Sequence, residues 1–142
     1  MYEEYSRQAL PPKDYRELLG SALCVFNSNN SFVIENILKE ADSYNWYELI
    51  DKESGQLKPI ISKNIAISNG GNIADMFNEI VIMRNRIIHG FQVSGENGEQ
   101  ILATKSKVKE GNQQFIITKE YLLDFIKMNE DLSSALHEFR GY

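Results

Sequence analysis

The hydrophobic pattern of this chain changes its period at Gly90, and this change limits the possible folds more than any other feature. Over residues 73–89 the apolar residues recur every three or four positions, as on one face of an amphipathic helix. After Gly90, apolar stretches flank 95–98 (Gly-Glu-Asn-Gly), and Asn-Gly is a strong hairpin signal. A second turn signal lies at 110–112. The sequence therefore predicts a helix that ends at Gly90, followed by an antiparallel hairpin or three-stranded meander over 91–118.

Helical patterns also occupy most of the chain before residue 73. One begins after Pro11-Pro12, because proline fits the first turn of a helix and not its interior. Five poor helix formers at 27–31 (Asn-Ser-Asn-Asn-Ser) interrupt it. This region is either one long helix with a polar patch or two helices that meet there. The absence of Gly and Pro from the patch favours one helix.

Shorter segments complete the predicted helices. We expect a short helix within 42–50, and another after Pro59 that extends to about residue 67. The sequence Asn-Gly-Gly-Asn at 69–72 predicts a break. A last helix should begin after Thr118, whose hydroxyl can cap its first turn.

These patterns predict an all-α fold. We expect one domain over residues 1–142, built as a bundle of about four main helices with a small antiparallel β-hairpin insertion before the last helix. Residues 1–10 are predicted to form a loose N-terminal arm, and residues 91–118 the β insertion.

Composition narrows the function classes. The chain is 42% hydrophobic and 25% charged, as in a soluble globular domain, and its net charge of −5 excludes a generally basic nucleic-acid coat but not a local basic site. The single Cys24 excludes an internal disulfide. No secretory signal is evident, and no apolar run reaches the roughly 18 residues of a membrane span. We therefore expect a cytoplasmic protein with no membrane partner.

Arg84 occupies an unusual position on the predicted helix. On a helical wheel at about 100° per residue, it lies at the centre of the apolar stripe. A guanidinium stays charged, and burying it without a partner costs several kcal/mol. Either Arg84 pairs with a buried carboxylate, for which Glu35, Asp75 and Glu79 are candidates, or the stripe opens locally into a cleft.

The opposite arc of the same helix is polar and contains a second group of candidates. Asn85 and His89 are four residues apart, so they are neighbours on one face. Ile82 is an apolar residue within this arc, close to Asn78, which predicts that a second subunit covers this face. A histidine in the last turn of a helix can also simply complement the helix dipole.

The sequence Arg84-Asn85-x-x-x-His89 at the end of a helix resembles the arginine–histidine motif of the HEPN superfamily. The resemblance implies a helical, homodimeric protein, and in many members a metal-independent endoribonuclease of toxin–antitoxin or phage-defence systems. It assigns catalytic roles to Arg84, Asn85 and His89. One toxin branch of the superfamily carries a modified tyrosine two positions after the histidine. Phe91 stands there in this chain, so we do not expect that modification.

The chemistry implied by the resemblance needs only these side chains and RNA. The 2′-hydroxyl of RNA is the nucleophile, His89 transfers protons, and Arg84 neutralises charge on the phosphoryl oxygens. We predict no metal site and no cofactor, since the two histidines, His89 and His137, lie far apart in the chain. The expected partners are RNA, a second copy and possible antitoxin or defence-complex proteins. The alternatives are a non-catalytic dimeric binding module and a component of a complex whose active subunit is another chain.

Four basic residues are weaker candidates for RNA binding. Lys105, Lys107 and Lys109 alternate along the predicted strand, so they should share one strand face, where they can follow an RNA backbone. Arg86 lies beside the motif and is either a further RNA contact or a solvated surface residue. Lysines on exposed edge strands also serve to prevent aggregation, so the lysine pattern has a structural alternative.

Overall fold

The computed structural model describes residues 2–65 and 72–141. Within these ranges it contains five α-helices, two short 3-10 turns and one three-stranded sheet. The elements are α1 (Lys13–Glu40), α2 (Trp46–Ile50), a 3-10 turn (Ser54–Leu57), α3 (Lys58–Asn64), α4 (Ile73–Ile88), β1 (Phe91–Ser94), β2 (Gln100–Lys105), a second 3-10 turn (Val108–Glu110), β3 (Gln114–Ile117) and α5 (Lys119–Arg140). No helix in the described ranges combines the length and the apolarity that crossing a bilayer requires.

The prediction of an all-α fold is wrong, because the chain is a mixed α/β protein. The predicted meander forms, with β1, β2 and β3 antiparallel and in sequence order. One of its faces is part of the core: Ile117 is fully buried there, and its register partner Leu102 packs against the same core. The sheet is therefore a structural layer rather than a hairpin added to a helical bundle. Its short strands gave a weak signal beside the long helical patterns.

A single long helix, α1, spans the segment with the polar patch, as the sequence favoured. It begins directly after Pro12 and continues through the Asn-rich stretch to Glu40. The patch remains helical because its side chains form hydrogen bonds with polar groups of other segments. The Nδ2 of Asn29 donates to the carbonyl oxygen of Asn129 at 2.7 Å and to its Oδ1 at 3.0 Å. These buried bonds join the middle of α1 to α5, its most extensive packing partner.

The helix α4 confirms the strongest sequence prediction. Asn72 caps its first turn by accepting from the backbone N–H of Asp75 at 3.3 Å, and His89 follows its last residue as the C-cap. The helix ends just before Gly90, as predicted, although the backbone of this glycine is not left-handed. A side chain there would meet the carbonyl oxygens of Ile87 and Ala103 at 3.0 and 3.2 Å. Glycine therefore permits the close approach of the sheet to the end of α4, next to His89.

Tyr15 connects the start of α1 to the sheet through hydrogen bonds. Its buried hydroxyl donates to the carbonyl oxygen of Ile117 at 2.6 Å and accepts from the backbone N–H of Leu102 at 3.2 Å. These two residues face each other in the register of β2 and β3. One side chain thus holds two strands at once.

The remaining predictions concern the ends of elements and the N-terminal segment. Thr118 caps α5 as expected, accepting from the N–H of Tyr121 at 3.0 Å. The break predicted at 69–72 lies outside the described residues except for Asn72. The segment 2–10 has no helix or strand, yet Arg16 binds it through an ion pair with Glu3 at 2.7 Å.

Candidate functional site

The motif residues line one cavity of the described structure. The cavity has a volume of about 610 Å³ and opens to solvent. Arg84, Asn85 and His89 reach it from the last turns of α4. The opposite wall comes from the middle of α1 and from the segment 50–55, which connects α2 to the first 3-10 turn. Three segments far apart in sequence therefore converge on the motif.

The position of Arg84 answers the question raised by the helical wheel. Its guanidinium carbon lies 5.0 Å from the centroid of the Phe26 ring. Phe26 is buried and stacks on Phe77 and Phe125, with ring centroids 6.2 and 6.3 Å away. The apolar stripe thus opens into a cleft over the aromatic core, and Arg84 stands on the floor of that cleft.

Arg84 has no carboxylate partner in the described ranges. None of the ion pairs found there includes it, and Asp75, one of its candidate partners, lies 3.8 Å from Lys58 instead. Burial lowers the pKa of Arg84, while the charge of Glu53 acts in the opposite direction. The guanidinium remains charged at neutral pH. It is therefore a half-buried cation whose charge no ion pair neutralises.

One nitrogen of Arg84 is also unused. Its Nε is buried and has no hydrogen-bond partner among the described residues. Its Nη2 donates to the Oδ1 of the adjacent Asn85 at 2.8 Å. Successive helical side chains diverge by about 100°, so this contact requires both side chains to lean towards the same opening. An anion that entered the cavity would find guanidinium donors held in place by Asn85.

His89 completes the motif at the C-terminal end of α4. Its backbone N–H donates to the carbonyl oxygen of Asn85 at 3.0 Å, so the helix end holds its main chain. Its side chain is exposed, and His89 lines the same cavity as Arg84. The imidazole of His89 and the guanidinium of Arg84 therefore line one cavity, where the first can transfer a proton and the second can bind a phosphoryl oxygen.

Several lining residues were not identified from the sequence. Asn27 and Asn30 line the cavity from the polar patch of α1, and Asn30 accepts from the hydroxyl of Ser54 at 3.1 Å. The run of poor helix formers at 27–31 was the available signal, because a polar patch inside a long helix often marks a functional face. No comparable signal marked Ser54.

The charges around the cavity are mixed. Lys52 adds a second cation, but Asp51 and Glu53 also line the wall. Two carboxylates thus offset the charges of Arg84 and Lys52 when His89 is neutral. The cavity of one protomer consequently has no excess positive charge to attract a long polyanion.

The predicted lysine face does not exist. Only Lys105 belongs to a strand, since β2 ends there, while Lys107 precedes the second 3-10 turn and Lys109 lies within it. The turn closes with left-handed residues, Gly111 at φ 98° and Asn112 at φ 52°. Alternation along the sequence could not reveal this break, because Lys-Val-Lys fits a strand as well as a turn.

The four basic residues predicted to bind RNA do not form one surface in the structure. The side chain of Lys105 forms a hydrogen bond with a nearby loop residue, since its Nζ donates to the Oδ1 of Asn112 at 2.7 Å. Arg86 donates to the carbonyl oxygen of Lys105, and it lines a second pocket together with Lys107 and Ile82. Neither these residues nor Lys109 line the cavity of the motif. The second pocket touches the first through Asn85, which lines both.

The candidate interface residues lie on α4 with different exposures. Ile82 is 51% exposed, which is high for an isoleucine in the middle of a helix. Asn78 is half-buried. Across residues 2–65 and 72–141, no group of three or more His, Cys, Asp or Glu side chains is placed to hold a metal ion.

Comparisons with family models, with curated proteins and with solved structures found no match. The resemblance to the HEPN superfamily therefore depends on Arg84, Asn85 and His89 and on their place at the end of α4.

Proposed function

We propose that the protein is a metal-independent endoribonuclease of the HEPN type that acts as a homodimer in the cytoplasm, within a defence or toxin–antitoxin system. The observation that carries this proposal is the cavity of the motif, where the unpaired guanidinium of Arg84 and the exposed imidazole of His89 line one opening. A structural arginine would have a carboxylate partner, because a buried cation is costly without one.

The reaction follows from the groups that line the cavity. The 2′-oxygen of a ribose forms a bond to the adjacent phosphorus, and the bond from phosphorus to the 5′-oxygen breaks. His89 accepts the proton of the 2′-hydroxyl or supplies one to the leaving 5′-oxygen, because histidine is the side chain that most often acts as a general acid or base. Arg84 neutralises the charge that builds on the phosphoryl oxygens. The products are a 2′,3′-cyclic phosphate and a 5′-hydroxyl.

A second copy would supply a second group for proton transfer. One cavity is lined by a single histidine, whereas the reaction removes a proton from the 2′-oxygen and adds one to the 5′-oxygen. A two-fold dimer through α4 would bring two motifs together and give one site two arginines and two histidines. One histidine could then act as the base and the other as the acid.

The decisive experiment is RNA cleavage in excess EDTA by the wild type and His89→Ala. We expect the wild type to cut single-stranded RNA and His89→Ala to lose about 10²–10⁴-fold in rate, because a general acid or base is removed. His137→Ala is the matched control, since it removes the other histidine, which lies on α5 and does not line the cavity. DNA and 2′-O-methyl RNA should resist, because both lack the nucleophile.

Two results would contradict the proposal. Cutting that requires magnesium, or that survives in His89→Ala, would place the activity elsewhere. A protein that cuts no RNA but remains dimeric would favour the non-catalytic binding module, for which the exposed Ile82 is the supporting observation.

A further inference from the structure

The second pocket, beside the motif, has the composition of a base-binding site. Its aromatic wall consists of Phe115 on β3 and Tyr121 on α5, which lie outside the predicted dimer helix α4, and Ile82 on α4 also lines it. Its volume of about 230 Å³ is below the roughly 300–1,000 Å³ that encloses a drug-sized ligand, so it suits a smaller planar group.

The aromatic wall is open to solvent. Phe115 is 36% exposed although it shares a sheet face with the fully buried Ile117, two residues later in β3. The ring of Phe115 lies 5.9 Å from that of Tyr121 at an angle of 49°. The sheet therefore presents an aromatic surface at its edge where the core ends.

Polar groups surround this surface. Arg86 and Lys107 line the pocket and provide cations for a neighbouring phosphate, while Glu110 provides an acceptor. Burial raises the pKa of Tyr121, with Arg86 acting against it, so its hydroxyl remains a neutral hydrogen-bond donor at physiological pH. A nucleobase offers the matching features, namely a π face and an edge of donors and acceptors.

The position of the pocket relates it to the catalytic cavity. Asn85 lines both, so the two openings adjoin at one side chain that is itself bonded to Arg84. We propose that this pocket binds the base of a nucleotide next to the scissile phosphate and stacks it on Phe115. This inference rests on the proposed ribonuclease function and adds to it a subsite for a single-stranded RNA base.

The test is a double-mutant cycle of binding that requires no cleavage. The probes are two 2′-O-methyl RNA heptanucleotides, one complete and one with an abasic residue at its centre, measured by fluorescence anisotropy. For the wild type we expect the abasic residue to weaken binding about 5- to 100-fold, because stacking on an aromatic side chain is lost. For Phe115→Ala we expect less than a twofold difference between the two probes.

Ile116→Ala is the matched control. Ile116 is the next residue of β3, is 43% exposed and points to the other face of the sheet, away from this pocket. The Ile116→Ala protein should show the wild-type penalty for the abasic residue. Equal penalties in the wild type and Phe115→Ala, or no binding of either probe by the wild type, would overturn the subsite.

Two further measurements distinguish a failure of the ribonuclease proposal from a failure of the base-binding proposal. RNA cutting in EDTA tests the ribonuclease function alone, so a protein that shows the base coupling without cutting would refute only that function. A second copy of this chain is the competing occupant, because Ile82 also belongs to the predicted dimer face. If Phe115→Ala sediments as a monomer while the wild type is a dimer, the pocket belongs to the subunit contact and the base-binding proposal fails.

Discussion

At the scale of single residues, Arg84 shows how far a sequence can define a site. The helical wheel placed it at the centre of an apolar stripe, and the structure confirms an opening there, with Phe26 as its floor. The wheel could not identify Phe26, Asn27 or Asn30, because the turn of α1 that faces α4 is set by tertiary packing. Hydrophobic periodicity predicts which face of a single helix is buried, but it does not predict which other segments that face contacts. This cavity is lined by three separate segments.

Because Arg84 has no ion-pair partner in the described ranges, we expect that its replacement by leucine does not lower the stability of the protein. In Arg84→Leu the buried, unbonded Nε disappears, which removes a penalty of about 1–3 kcal/mol. The loss of the cation–π contact with Phe26 costs about 0.5–2 kcal/mol, and the loss of the hydrogen bond to Asn85 costs about 0.5–1.5 kcal/mol. The leucine offsets these costs, because it buries apolar surface over the aromatic core. We expect a melting temperature equal to or above that of the wild type, measured by thermal denaturation, together with loss of RNA cutting.

The same variant distinguishes a functional arginine from a structural one. If Arg84 belonged to a buried ion pair, its removal would strand a carboxylate and cost about 3–5 kcal/mol. Phe26→Ala is the reference for real core damage, with an expected loss of about 3–5 kcal/mol. A loss of that size in Arg84→Leu would argue against the catalytic assignment.

At the scale of elements, the long periodic segments were predictable and the packing of the sheet was not. Both α1 and α4 follow their apolar spacing closely, and Thr118 caps α5 as its hydroxyl predicted. The strands have only four to six residues, and whether their inner face joins the core depends on partners distant in the chain. Gly90 illustrates this limit, because a side chain there would contact not only Ile87 of its own helix but also Ala103 of β2 and Ile117 of β3.

The link from α1 to the sheet leads to a prediction about stability and pH. Tyr15→Phe leaves the N–H of Leu102 and the carbonyl oxygen of Ile117 without this hydroxyl. We expect a loss of about 1–3 kcal/mol in the free energy of unfolding, measured by urea denaturation at neutral pH. Tyr121→Phe is a suitable control, since no hydrogen bond of its hydroxyl was found in the described ranges.

The pKa of Tyr15 gives the sign of the pH dependence. Burial raises it in the folded protein, and the bond from Leu102 acts in the opposite direction. The neutral phenol therefore stabilises the fold fully below the unfolded pKa of about 10, and this contribution is lost as the pH rises through the folded pKa. The alkaline loss of stability should be smaller in Tyr15→Phe than in the wild type, and equal losses would contradict this role.

At the scale of the whole molecule, the exposed apolar residues of α4 support the proposed dimer. Ile82 and Ile88 are each 51% exposed; Ile82 precedes the motif by two positions, and Ile88 lies within it. A dimer through this helix would cover them and join two cavities. The sequence predicted this from Ile82 alone, but the neighbouring aromatic pocket became visible only in three dimensions.

The dimer prediction is tested with Ile82→Asp. A buried charge at a subunit contact is strongly unfavourable, so we expect this variant to sediment as a monomer at micromolar concentration while the wild type is a dimer. Leu123→Asp is the control, because Leu123 on α5 has the same 51% exposure and lines neither pocket. A monomeric wild type would remove the basis for a shared site.

The bonds between α1 and α5 have a consequence for the synthesis of the protein. Asn29 and Asn129 are separated by 100 positions, and the bond of Tyr15 to Ile117 spans 102. The helix that forms the floor of the cavity therefore packs against a segment that the ribosome makes last among the described elements. Folding of this chain cannot finish during translation of its first hundred residues. The nascent protein consequently lacks a formed cavity until α5 has been synthesised and has left the ribosome, a machine made largely of RNA.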